Sequence, residues 1–129
     1  MSTGLFVYLL IVITQISIDP YMSMCCNGWG KLIMAFHHCI QVLIMLGSLC
    51  FGFHEYHLYF TLFAFSLHIL LNGCFLSKVQ NKVCGLPEET PLYTLINHFT
   101  DSLVTKRSTY IPYYCLLVIV IIYDVRNLQ

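Results

Sequence analysis

Two neighbouring apolar runs carry the side chains with which this chain could do chemistry. His37, His38 and Gln41 lie in the first run, and His68, Asn72 and Cys74 in the second. Imidazole can move a proton or ligate a metal, and amides bond whatever polar group sits beside them. Their spacing is helical. His37, Gln41, Ser48 and Gly52 are four, seven and four residues apart, with His38 beside that stripe, while Thr61, His68 and Asn72 are seven and four apart. Between the runs stands only the short break His54-Glu55-Tyr56-His57. If the chain reverses there, positions whose numbers sum to about 111 share one depth. Gln41 then lies level with residue 70, and His37 and His38 lie level with Cys74 and Gly73, so the two polar stripes meet within about two helical turns.

Three chemistries remain open for this cluster. The first is a hydrogen-bonded clamp that holds two helices together, each bond contributing ~0.6 kcal/mol or somewhat more in a membrane. The second is a polar pocket that handles a proton, a lipid head group or a small substrate. The third is haem or metal ligation by a pair drawn from His37, His38 and His68. Four thiols, Cys25, Cys26, Cys74 and Cys84, fall near the same end and offer a weaker zinc option, against reduced spectator thiols as the plainer reading. Adjacent cysteines beside a membrane, as at Cys25-Cys26, are also a palmitoylation candidate. The leading expectation includes no cofactor.

The elements that must position these residues follow from composition. Of 129 residues 58% are hydrophobic and only 9% charged, against about 25% charged in soluble domains. Six basic and six acidic residues cannot cover a soluble surface of this size. Between Lys31 and Lys78 the sole charged side chain is Glu55. The expected class is an all-α integral membrane protein, because ~20 helical residues cross a ~30 Å hydrocarbon core. Zero net charge argues against a nucleic-acid partner.

In chain order, four spans are expected, at about residues 4–18, 32–53, 58–76 and 110–123, in a single domain. They form a four-transmembrane-helix bundle with the antiparallel hairpin of the second and third at its centre. Asp19-Pro20 stops the first helix, since proline disfavours helical geometry in the residue before it. A cleaved signal peptide is the rival reading of the first run, although no basic residue precedes it. Asn27-Gly28 signals a turn and Trp29 an interfacial anchor. Residues 77–109 are the one long hydrophilic section. Within it Leu92, Leu95, Ile96, Phe99, Leu103 and Val104 recur at helical spacing, which predicts a short amphipathic surface helix before the last span. Tyrosines flank the last run at both ends, as in an interfacial belt, and that run is short enough to leave a re-entrant segment open.

With four spans, Lys31, Lys78, Lys82, Lys106 and Arg107 fall on one side and Arg126 on the other. The positive-inside bias then places both termini away from the cytoplasm and residues 77–109 on the cytoplasmic side.

His68-Ile-Leu-Leu-Asn72-Gly73-Cys74-Phe-Leu76-Ser77 resembles a pattern in small four-span membrane proteins of bacteria and large DNA viruses. There a late histidine of the third helix precedes Asn-x-Cys-x-Leu-Ser/Thr and then an acidic position, where this chain has Val79 or Gln80. The resemblance implies a viral or organelle membrane protein, makes His68, Asn72, Cys74, Leu76 and Ser77 the family positions, and brings no activity with it. The sequence holds no Gly-rich phosphate loop, Gly-x-Ser-x-Gly or His-Glu-x-x-His motif. The expected role is a structural or partner-binding membrane component, alone or as a homo-oligomer. The alternative is a membrane-embedded enzyme or cofactor carrier that uses the His/Gln/Asn cluster.

Overall fold

The computed structural model describes residues 2–25, 27–88, 90, 92–93, 95, 98 and 110–128. Among the described residues the chain is helical and forms no strand. Helix α1 (Thr3–Ile18) starts where the Ser2 hydroxyl accepts a bond from the Leu5 amide at 3.3 Å. It ends ahead of Asp19-Pro20. Asp19 then caps the short α2 (Pro20–Met24) by accepting from the Tyr21 amide at 2.8 Å. Asn27 caps α3 (Gly28–Phe51) in the same way, through the Trp29 amide at 2.9 Å. Gly52, at φ 70°, closes α3 in a left-handed turn that a side chain would resist. Helix α4 (His54–Leu70) returns at once. Helices α5 (Phe75–Cys84) and α6 (Tyr110–Asn127) complete the described set.

Helix α3 is the hub, packing against α1, α4, α5 and α6. Helix α1 runs antiparallel to it, with the Tyr8 ring against Phe51 and the Tyr8 hydroxyl donating to the Cys39 carbonyl at 2.9 Å. Helix α6 runs antiparallel to α4. Asp124 meets His54 and His57 at one end of that pair, and Tyr114 meets Phe65 and His68 at the other.

The expected third span, 58–76, is not one helix. It stops at Leu70, passes through Asn72 at φ 49° and Gly73 at φ 131°, and resumes as α5 at 63° to α4. Two consecutive left-handed residues cannot continue a right-handed helix, so the local sequence Asn72-Gly73 sets the break. The expected surface helix over residues 92–104 lies mostly outside the described residues. Among the described residues one helix, α3, is long and apolar enough to cross a membrane alone, and α4 with α5 qualifies as a bent pair.

The thiols are not all spectators. Cys25 and Cys84 form a disulfide across 59 residues of sequence, with Cα atoms 4.9 Å apart. Gly30 makes room for it, since a Cβ there would sit 2.5 Å from both sulfurs. Periodicity could not reveal the pairing, because it depends on how α5 folds back across α3.

Polarity is inverted relative to a soluble domain. Among the described residues, ten buried hydrophobic residues are outnumbered by twelve buried polar or charged ones. Meanwhile Ile13, Leu32, Phe36, Leu49, Phe63, Ile69 and Ile119 are each more than half exposed. Water would penalise that outer surface; lipid would not.

Candidate functional site

Three polar clusters sit between the helices. In the first, His38 in α3 reaches two partners delivered by α1. Its Nε2 donates to Asp19 Oδ2 at 2.9 Å, and its Nδ1 lies 3.3 Å from Gln15 Oε1. The His38 and Asp19 side chains are fully buried. Asp19 thus caps α2 with one oxygen and holds α3 with the other.

The second cluster joins α4 to α6 and α3. Asp124 Oδ2 lies 2.5 Å from His57 Nδ1, and Oδ1 lies 3.3 Å from His54 Nδ1. The other His57 nitrogen, Nε2, donates to the Leu43 carbonyl at 2.8 Å. A carbonyl can only accept, so Nε2 must carry a hydrogen, and Nδ1 is left to face the Asp124 carboxyl. Pairing with two imidazoles is how a buried carboxyl group is tolerated here.

The third cluster is built around Cys74. Its sulfur lies 3.2 Å from His37 Nε2, and His37 Nδ1 lies 3.0 Å from Gln80 Oε1. His68 also hydrogen-bonds to the thiol. Behind it, the His68 ring stacks on Tyr113 and meets Tyr114 edge-on. Cys74 is the N-cap residue of α5, in the break beyond the end of α4. Burial pushes its thiol up, but hydrogen bonds from His37 and His68, the charge on His37 and the Ser77 amide outweigh burial and bring it down to about 5.

The six residues singled out in the sequence therefore separate. His37, His68 and Cys74 come together, joined by Gln80. His38 turns instead toward α1, because adjacent helical positions point about 100° apart. Gln41 is buried in α3 and its Oε1 has no hydrogen-bond partner among the described residues. Asn72 is exposed in the turn, where it shapes the backbone and joins no cluster. The metal candidates His37, His38 and His68 are split in the same way. Both ring nitrogens of His37 and of His38 face protein partners, and among the described residues no three His, Cys, Asp or Glu side chains converge as metal ligands would.

Six participants escaped the sequence reading: Gln15, Asp19, His54, His57, Gln80 and Asp124. One signal was available. Asp124 directly follows the last apolar run, level with the polar break between the second and third runs if consecutive spans alternate. An acid and two histidines at one membrane depth are a recognisable pair-forming set. Gln80 gave no such signal, because only the 63° bend between α4 and α5 aims it back at α3. The chain matches no protein-family model, no curated protein and no solved structure.

Proposed function

We propose that this chain is a multi-pass membrane protein in which α1, α3, α4 and α6 each cross the bilayer, and that its role is structural or partner-binding. The observation that supports this most is the inverted polarity: Asp19, His38, His57 and Asp124 are buried while the outward faces are apolar. In hydrocarbon a polar side chain is tolerated when it turns inward and is paired, and the buried histidine–carboxylate pairs meet that condition. They tie α3 to α1 and α4 to α6, the contacts that hold such a bundle shut. With 16, 17 and 18 residues, α1, α4 and α6 are short for a ~30 Å core, so local thinning of the bilayer accompanies them. On α4, Tyr56, Tyr59, Phe63, Leu67 and Leu70 form an exposed stripe at helical spacing, a surface suited to lipid tails. The resemblance to small four-span proteins of bacteria and large DNA viruses belongs to the same proposal.

The basic-residue count puts Lys31, Lys78 and Lys82 on the cytoplasmic side and both termini on the other. The Cys25–Cys84 pair lies at that same end. In a reducing cytosol it is held as a dithiol, and in an oxidising lumen as the disulfide. Membrane extraction tests the class directly. The protein should stay with the membrane through an alkaline carbonate wash and need detergent to leave it; a chain that is monodisperse in plain buffer overturns the proposal.

A further inference from the structure

We propose that Cys74 is the nucleophile of an acyl-transfer site, with His37 as its general base, Gln80 as the positioning residue and the long-chain acyl group of an activated ester as substrate. This goes beyond a structural or partner-binding role. Among the described residues, Cys74 is the free thiol that hydrogen-bonds to an imidazole, and that imidazole is held from behind by a buried amide. A thiol, a base in reach of it and a third group orienting the base are the parts that nucleophilic catalysis requires.

A purely structural clamp explains the arrangement poorly. A thiol is a weak hydrogen-bond donor, so it adds little as glue. Gln80 is fully buried and leaves its Nε2 without a partner among the described residues while its Oε1 serves His37. Unmet buried polar capacity carries a penalty that a clamp alone does not explain. The backbone reaches Cys74 through two left-handed residues, Asn72 and Gly73, which turn the chain so that the thiol meets α3.

The surroundings indicate the substrate. Cys74 opens the ten-residue α5, so the Phe75 and Leu76 amides in its first turn have no acceptor within the helix. In the proposed site those two N–H groups receive the oxygen of a carbonyl whose carbon meets the sulfur. Leu70, Leu71 and Phe75 beside the thiol are exposed and apolar, with Leu70 79% exposed. An acyl chain fits such a rim. The Lys78 chain folds over Gly73, and its ammonium donates to the Leu71 carbonyl at 2.7 Å.

In the first half-reaction the proton from the thiol sits on His37 Nε2 and the thiolate Sγ bonds to the acyl carbonyl carbon. The carbon–leaving group bond then breaks, and His37 returns the proton to the departing thiolate or alkoxide. In the second, water attacks the thioester while His37 takes its proton, the C–S bond breaks, and the sulfur recovers the proton. No oxidant or reductant is needed.

The test uses purified full-length protein in detergent with two alkynyl donors, a long-chain acyl thioester and a phosphatidylcholine. A hydroxylamine-labile acyl adduct at Cys74, located by mass spectrometry, is expected from one donor, and the productive donor identifies the source of the acyl group. His37→Gln should slow labelling at least about 100-fold, and Gln80→Ala about 10-fold. A melting temperature in detergent close to that of the wild type shows that each variant is folded. Alkylation by iodoacetamide separates positioning from structure: wild-type Cys74 should react well below pH 7, and His37→Gln should move its profile to higher pH. Besides His37, the titratable groups around the thiol are His68 of α4, Tyr113 of α6 and Lys78 of α5. Labelling at Cys74 from neither donor overturns the proposal. So does labelling that is unchanged in His37→Gln, or that spreads evenly over Cys39, Cys50 and Cys115.

Discussion

His57 and Asp124, 67 residues apart in sequence, meet in the interior, with His57 Nδ1 2.5 Å from Asp124 Oδ2. His57 also binds the Leu43 carbonyl, so this single imidazole joins α4, α6 and α3. Removing one member leaves the other buried without its partner. Asp124→Ala should destabilise the protein by about 3–5 kcal/mol, whereas the double variant Asp124→Leu/His57→Phe should recover most of that. Thermal unfolding in detergent across the four-member cycle measures the coupling. A single-variant effect no larger than that of a lipid-facing substitution would contradict the pairing.

Gly47 lies beneath the same ring. A Cβ there would stand 2.7 Å from His57 Cδ2 and 3.0 Å from Nε2. The ring cannot withdraw, because both nitrogens are bonded. Gly47→Ala is therefore expected to cost about 1–3 kcal/mol through overpacking. Gly28→Ala is the control, since a Cβ at Gly28 meets nothing within 4 Å. Equal melting temperatures for the two variants would show that His57 is free to move.

The Cys25–Cys84 pair reports both stability and orientation. Closing a loop of 59 residues is worth about 4 kcal/mol in the chain-entropy model. Purified oxidised protein should lose a comparable amount on reduction, read as a drop in melting temperature. In intact cells the proposed topology would put this pair in the cytosol, so a membrane-permeant alkylating reagent should modify both thiols. Protection of both until a reductant is added would reverse the proposed topology.

The Cys74 thiol gives a pH signature. Its value in the folded protein, about 5, lies below the ordinary 9, so the thiolate contributes stability that is fully present above pH 9. That contribution shrinks as pH falls and is lost on passing through about 5. The stability difference between wild type and Cys74→Ala should therefore narrow steadily from pH 8 to pH 5. A difference that stays flat over this range would mean that the thiol is not held as proposed.

Several parts of this architecture were legible in the residues themselves. Scarce, segregated charge required helices whose outer faces are apolar, since six acids and six bases cannot hydrate this surface. Asp19-Pro20, Asn27 and Gly52 mark helix ends because each acts on backbone within a residue or two of itself. The tight break at 54–57 set His37 level with Cys74, for a short connection leaves little freedom in depth.

Tertiary structure alone decided the remainder. Helical spacing fixes which residues share a stripe, but not how far a helix is rotated about its axis, so His38 could turn to Asp19 while its neighbour His37 turned to Cys74. Spacing also says nothing about which distant helix supplies a partner, so Asp124 reached His57, and Cys84 reached Cys25, only after packing brought them together. The bend after Leu70 had the largest effect, because it converted the end of an expected span into a capped thiol facing an imidazole. Sequence periodicity describes single elements, whereas a site made by four helices depends on their relative rotation and tilt, which the packing of the whole bundle sets.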